Sequence, residues 1–124
     1  MKGKRGWGQA GEEYATELLK KNGYTILERN YKSVIGEIDI IALDPSTGSG
    51  PDGTLVFVEV KTRWSPKFGT PQEAVNSRKL YKIKRVGEYY LMTHPTSPRK
   101  LRIDVVAIEM DKATVKSSKI IKVV

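Results

Sequence analysis

The sequence has no cysteine, so disulfides and thiolate metal sites are excluded. It has one histidine, His94, which removes His-rich metal centres and argues against a histidine relay. A metal bound here would be held by oxygen, which points to a hard cation such as Mg²⁺, Mn²⁺ or Ca²⁺. No stretch approaches the run of about 18 apolar residues that a membrane span requires. The basic start, MKGKRGWGQAGEE, is followed by no apolar segment of the signal-peptide kind, so a cytoplasmic protein is expected. Acids are in the minority: 14 Asp and Glu stand against 22 Lys and Arg, a net charge of +8. Such a field favours polyanions, nucleic acid first and an anionic membrane surface second. At 124 residues the chain is long enough for one domain and too short for two. Residues 1–7, rich in Gly and Lys, read as a flexible basic terminus, and 8–124 as the domain.

The pattern along the chain predicts the order α-β-β-β-α-β, followed by a short edge strand in the tail. A helix runs from about Gln9 to Asn22, with Tyr14, Ala15, Leu18 and Leu19 as its apolar stripe and Gly23 as its stop. YTILERNY (24–31) and GEIDIIAL (36–43) read as strands joined by a turn near Ser33–Gly36. DPSTGSGPDG (44–53) is a loop. TLVFVEV (54–60) is apolar on both faces, as expected of a central strand covered by helices. In TPQEA, Thr70, Pro71 and Glu73 form a capping-box start for a second helix. That helix runs through Leu80, Ile83, Val86 and Tyr90, with a possible break at Asn76–Ser77. LRIDVVAIEM (101–110) is the fourth strand, and KIIKVV a short edge strand. The fold class is a single α/β domain with a central mixed sheet flanked by helices.

Three places interrupt this apolar design. On strand spacing Leu55, Phe57, Glu59 and Lys61 share one face, apolar at its start and charged at its end. Isolated buried charge is costly, so Glu59 and Lys61 belong where the sheet opens to solvent or ligand. An ordinary ion pair at a strand end is the simpler account. Glu37 and Asp39 share a face of the preceding strand, where Asp is disfavoured. These two acids repel unless a cation lies near them, and Asp39 either pairs with one of the many cations or, if the hairpin-like connection makes strands two and three neighbours, converges with Glu59 and Lys61. Two carboxylates and a lysine are the parts of metal-dependent phosphodiester hydrolysis. Glu12 edges the apolar stripe of the first helix, which fits either that site or an acid in the first helical turn.

The second helix carries Arg78, Lys82 and Arg85 at i, i+4 and i+7, with Lys79 and Lys84 alongside. A solvated face is the usual meaning of such a row, but its single sign suits a phosphate backbone. Arg63, Trp64 and Lys67 follow the Glu-x-Lys strand. Trp64 either stacks on a base or caps the core. His94 is given no role.

Taken together, GQAGEEYATELLKKNGYTILERNY, GEIDIIA, LVFVEVKTR, FGTPQEAV and LRIDVVAI resemble the bacterial YraN-like family over roughly residues 8–108. That family is similar to archaeal Holliday-junction resolvases and belongs with the restriction-endonuclease-like, PD-(D/E)xK superfamily. The resemblance implies that Asp39, Glu59 and Lys61 are the nuclease motif, that Glu12 is the helix-borne acid, and that Gln72 is a polar position near the site. The leading reading is a Mg²⁺- or Mn²⁺-dependent DNA endonuclease-like enzyme acting on branched or structured DNA. In it Asp39 and Glu59 are metal ligands, with the Val60 carbonyl a possible third. Arg63, Trp64, Lys67, Arg78, Lys79, Lys82 and Arg85 contact nucleic acid. A homodimer is a possible assembly, and no membrane partner is expected. The alternatives are a non-catalytic nucleic-acid-binding module on a nuclease scaffold, and a protein-interaction adaptor.

Overall fold

The computed structural model describes residues 4–48, 52–63 and 76–123. Helix α1 (Lys4–Lys21) leads into β1 (Thr25–Lys32) and β2 (Glu37–Asp44). A short 3₁₀ turn (Pro45–Thr47) precedes β3 (Thr54–Arg63), and then come α2 (Ser77–Thr93), β4 (Lys100–Asp111) and β5 (Thr114–Lys122). The five strands form one sheet in the order β1-β2-β3-β4-β5. All pairs are antiparallel except β3 with β4, which are parallel and joined by the connection containing α2. This is the expected α/β domain with a mixed sheet.

β3 is the centre of the molecule. Its residues Val56 and Val58 pack with Ala15 and Leu19 of α1, and its Leu55 and Phe57 pack with Ile83, Val86 and Tyr90 of α2. The alternation read from the sequence thus assigns each helix its own face of the sheet. Burying a Leu or Phe side chain fully contributes roughly 1.5–3 kcal/mol, so this strand alone anchors much of the core. Close backbone approach is built in on both sides. A Cβ on Gly11 would lie 2.5 Å from Thr62 Oγ1, and one on Gly87 would lie 2.6 Å from the Phe57 ring. Each helix therefore meets β3 at a glycine.

Helix α1 ends at Gly23, whose φ of 89° is the left-handed conformation expected of a C′ glycine. The Tyr24 N–H donates to Leu19 O at 3.0 Å, closing the helix before β1 begins. The other end differs from the sequence expectation. α1 starts at Lys4, ahead of Gln9, although glycines at 6 and 8 depress helix propensity there. The suspected break at Asn76–Ser77 is a helix start. The Asn76 side chain accepts from Lys79 N at 2.9 Å and caps α2. The proposed start at Thr70–Glu73 lies outside the described residues. β5 is longer than KIIKVV and begins at Thr114. Pairing to β4, with Ile121 buried, carries residues whose own pattern is polar. His94 is structural: its ring stacks on Tyr90 at 3.8 Å and its main-chain N–H donates to Leu91 O. No helix among the described residues is long and apolar enough to cross a membrane.

Candidate functional site

β2 and β3 pair from Asp44↔Thr54 as far as Ile40↔Val58, and there the pairing stops. On either side the ladders continue, β1–β2 to Lys32↔Glu37 and β3–β4 to Arg63↔Glu109. The sheet therefore forks between β2 and β3. Asp39 and Glu59 are the first residues past the last pair, one on each arm. A fork leaves main-chain donors without a ladder partner, and such groups must be satisfied. The Val60 N–H donates to Asp39 Oδ2 at 2.8 Å, so the carboxylate replaces the missing ladder bond.

β2 also twists over at this point. Ile38 packs with Ile41 under α2, while Ile40 packs with Ala42 under α1. Strict alternation, which put Glu37 and Asp39 on one face, is broken at Asp39. Opposite Asp39, between the pairs Arg29↔Ile40 and Tyr31↔Ile38, stands Asn30 with φ of 53°, a conformation Asn tolerates better than most residues.

Glu59 and Lys61 share a face, as expected, with Lys61 Nζ 3.9 Å from Glu59 Oε1. A closer cation reaches the same oxygen from α2: Lys79 Nζ is 2.6 Å away. Glu59 is largely shielded, its side chain 12% exposed, so this contact is far less screened than a surface pair. Lys79, read from the sequence as part of the outward cationic row, turns inward to the fork. Arg78, Lys82 and Arg85 remain exposed along α2, and the Lys82 stem passes the turn at Gly36.

Glu12 comes to the same region on the first helix, where Gly11 lets α1 close on Thr62. With its amide nitrogen turned toward the helix, Asn30 donates to both Glu12 oxygens at 2.9 and 3.1 Å. Arg29 pairs with Glu13 at 3.0 Å. Burial pushes the Glu12 carboxyl up, against the pull of Arg29, with Glu37, Glu13 and Glu59 adding to the rise. Asp39 is pushed up to about 7, first by burial and then by the charge of Glu59, against the stabilising Val60 N–H. The Lys61 ammonium is pushed down by its contact with Lys79 and by burial. Burial works against the Lys79 charge, but its bond to Glu59, its contact with Lys61 and the charges of Glu59 and Asp39 together hold it up.

Asp39, Glu59 and Lys61 are therefore brought together, and Glu12 acts on Asp39 through its charge. Among the described residues, no set of three or more His, Cys, Asp or Glu side chains is gathered tightly enough to enclose a metal ion. Two carboxylates, Asp39 and Glu59, are what the fork offers as oxygen donors. Arg63 ends β3, half-buried, beside Glu109 of β4. Trp64, Lys67 and Gln72 lie outside the described residues.

A second charged group escaped the sequence reading. Beside Val58, on the rung just behind the fork, Asp104 of β4 is completely buried. It accepts from Tyr24 Oη at 2.7 Å and from Arg102 Nε at 2.7 Å, and Arg102 also donates to Asp44 at 2.8 Å. The signal was present in RIDVV, an acid inside an apolar strand, as in EIDII. Its donors are committed to one another, so this group holds the fold together.

Fold and site define a single α/β domain whose mixed sheet forks at its centre and presents an acid pair with two lysines. The chain belongs to the UPF0102 family: the family model, described as uncharacterised protein family UPF0102, matches residues 11–108. That span is close to the 8–108 covered by the YraN-like motifs. A UPF0102 protein of Moorella thermoacetica is 47% identical over 105 residues, covering 85% of this chain and 82% of the relative. One from Caldicellulosiruptor saccharolyticus is 46% identical over 108 residues, with 87% and 86% covered. One from Caldicellulosiruptor bescii is 48% identical over 105 residues, with 84% and 82% covered.

Proposed function

We propose that this chain is a metal-dependent endonuclease of the restriction-endonuclease-like class, hydrolysing phosphodiester bonds in DNA, with branched or structured DNA as the preferred substrate. The observation that carries this reading is the facing of Asp39 and Glu59 across the fork, with Lys61 beside them. The donor set fits Mg²⁺ or Mn²⁺: such ions take one or two carboxylates and complete their shell with water and substrate phosphate. The Glu59 charge beside Asp39 makes added positive charge favourable there.

Bound there, the ion would supply an activated water and neutralise charge on the phosphate. Asp39 and Glu59 would hold the cation, and the Val60 N–H fixes the orientation of Asp39. Lys61 orients the attacking water and stabilises charge developing on the phosphoryl oxygens. Glu12, kept in place by Asn30, accepts a hydrogen bond from water on the α1 side. Arg78, Lys82 and Arg85 contact phosphates flanking the site, and the net charge of +8 steers the polyanion in. Cutting both strands of a duplex would draw on two copies of the chain, for which a C₂ dimer is the common arrangement. Cleavage of plasmid and four-way-junction DNA with Mg²⁺ or Mn²⁺ tests the reading. Wild type should cut, and Asp39→Ala and Lys61→Ala should lose at least about 100-fold, the scale of lost electrostatic catalysis. Equal activity in all three sinks the assignment.

One observation favours a second reading. Lys79 and Lys61 already balance Glu59, and no three-acid metal cage is gathered among the described residues. A non-catalytic module that binds nucleic acid through the same basic surface accommodates both facts. Retained DNA affinity without carboxylate-dependent Mn²⁺ binding would decide for it.

A further inference from the structure

Glu59 Oε1 has two lysine neighbours, and their distances are unequal. Lys79 Nζ at 2.6 Å makes a direct charge-assisted bond, while Lys61 Nζ at 3.9 Å stands off. Lys61 shares β3 with Glu59, whereas Lys79 arrives from α2. Its main chain is pinned, because Lys79 N donates to the capping Asn76 Oδ1 at 2.9 Å in the first turn of the helix. Only the side chain is free to swing, and a lysine stem with a compact, hydrated charge does so at small cost. The other α2 cations, Arg78, Lys82, Lys84 and Arg85, are exposed, so Lys79 alone leaves the row for the fork.

A carboxylate oxygen in a direct bond to an ammonium is not free to ligate a divalent cation. We propose that Lys79 is the resident counter-ion of Glu59: it holds the oxygen that the cation takes, and cation binding at Asp39 and Glu59 displaces it toward the substrate phosphate. This rests on the metal reading above. Lys79 is a positioning residue here. It sets one positive charge against the acid pair before the metal enters, and it weakens metal binding until nucleic acid offers its ammonium another anion.

The test is calorimetric titration of Mn²⁺ without DNA into wild type, Lys79→Met, Lys79→Arg, Arg78→Met and Asp39→Ala, with folding checked by thermal unfolding. Removing a competing charge this close should tighten Mn²⁺ binding by Lys79→Met on the order of tenfold. Lys79→Arg, which keeps a cation on Glu59, should stay near wild type. Arg78→Met removes an exposed, screened charge and should change affinity by less than about threefold. Lys79→Gln replaces Lys79→Met if that variant does not fold. Unchanged or weaker Mn²⁺ binding by Lys79→Met, or an equal gain by Arg78→Met, overturns the role of Lys79 and leaves the metal reading standing. Absence of any Mn²⁺ binding lost in Asp39→Ala overturns the metal reading itself.

Discussion

The Asp39 carboxylate on β2 accepts the main-chain N–H of Val60 on β3 at 2.8 Å, where the two strands cease to pair. One side chain thereby closes the backbone ladder and stands beside Glu59. These two duties set the pH behaviour of the molecule.

Asp39 carries a folded pKa of about 7 against the ordinary aspartate value of 3.8. The folded state holds this proton more tightly than the unfolded chain, so the contribution is complete below the unfolded value. It is lost as pH rises through about 7. The ceiling on that loss is about 4 kcal/mol, from roughly 1.36 kcal/mol per pH unit. Urea unfolding at pH 5 and pH 8 should show wild type losing stability. Asp39→Asn keeps an acceptor for Val60 N–H and should lose much less. A wild-type stability that rises between these pH values contradicts the assignment.

At the other end of the sheet the sign reverses. Burial works against the Asp44 charge, but bonds from Ser46 and Arg102 hold its carboxyl down to about 2. Its contribution is present above the unfolded value of 3.8 and is lost as pH falls through about 2. Arg102→Met leaves the buried Asp104 and Asp44 without their shared cation. A loss of about 3–5 kcal/mol is expected by chemical denaturation. Tyr24→Phe, which removes one donor to Asp104, should cost about 1–3 kcal/mol.

Gly11→Ala places a methyl group 2.5 Å from Thr62 Oγ1, so either the Thr62 side chain rotates or α1 shifts off β3. A destabilisation of about 1–3 kcal/mol is expected from overpacking. Thr62→Ala removes the clashing oxygen, so the double variant should recover part of that loss. A double-mutant cycle with zero coupling would show that this contact does not set the helix position.

The exposed row on α2 is tested through salt. Replacing Arg78, Lys82 and Arg85 together by Ala should weaken DNA binding without changing the fold. The slope of log K against log salt should fall by up to about 3, near 0.9 for each phosphate no longer neutralised. Fluorescence anisotropy over a salt series measures this, and an unchanged slope removes the row from the interface.

Much of the fork was legible because alternation is a rigid rule. Leu55, Val56, Phe57 and Val58 could only be buried on both sides, which made β3 central and forced Glu59 and Lys61 to its open end. The closeness of β2 and β3 followed from the hairpin-like connection between them. Lys79 was not legible in this role. Helical spacing puts it among exposed cations, and only the crossing of α2 over the sheet shows that it faces Glu59. The twist at Asp39 was hidden as well, because it depends on Asn30 in a neighbouring strand. α1 extends through Gly6 and Gly8, and β5 through polar residues, because continuation of a helix or ladder outweighs weak local preference. Asp104 was not legible either, because its partner Tyr24 is distant in sequence.

The last rung between β2 and β3 is Ile40 against Val58, two fully buried aliphatic side chains. Where that rung sits decides how widely the acids beyond it stand apart. The aperture of the charged mouth is therefore governed from behind, by hydrocarbon volume. A methylene added or removed at Ile40 or Val58 would retune the spacing of Asp39 and Glu59 without touching a single charge.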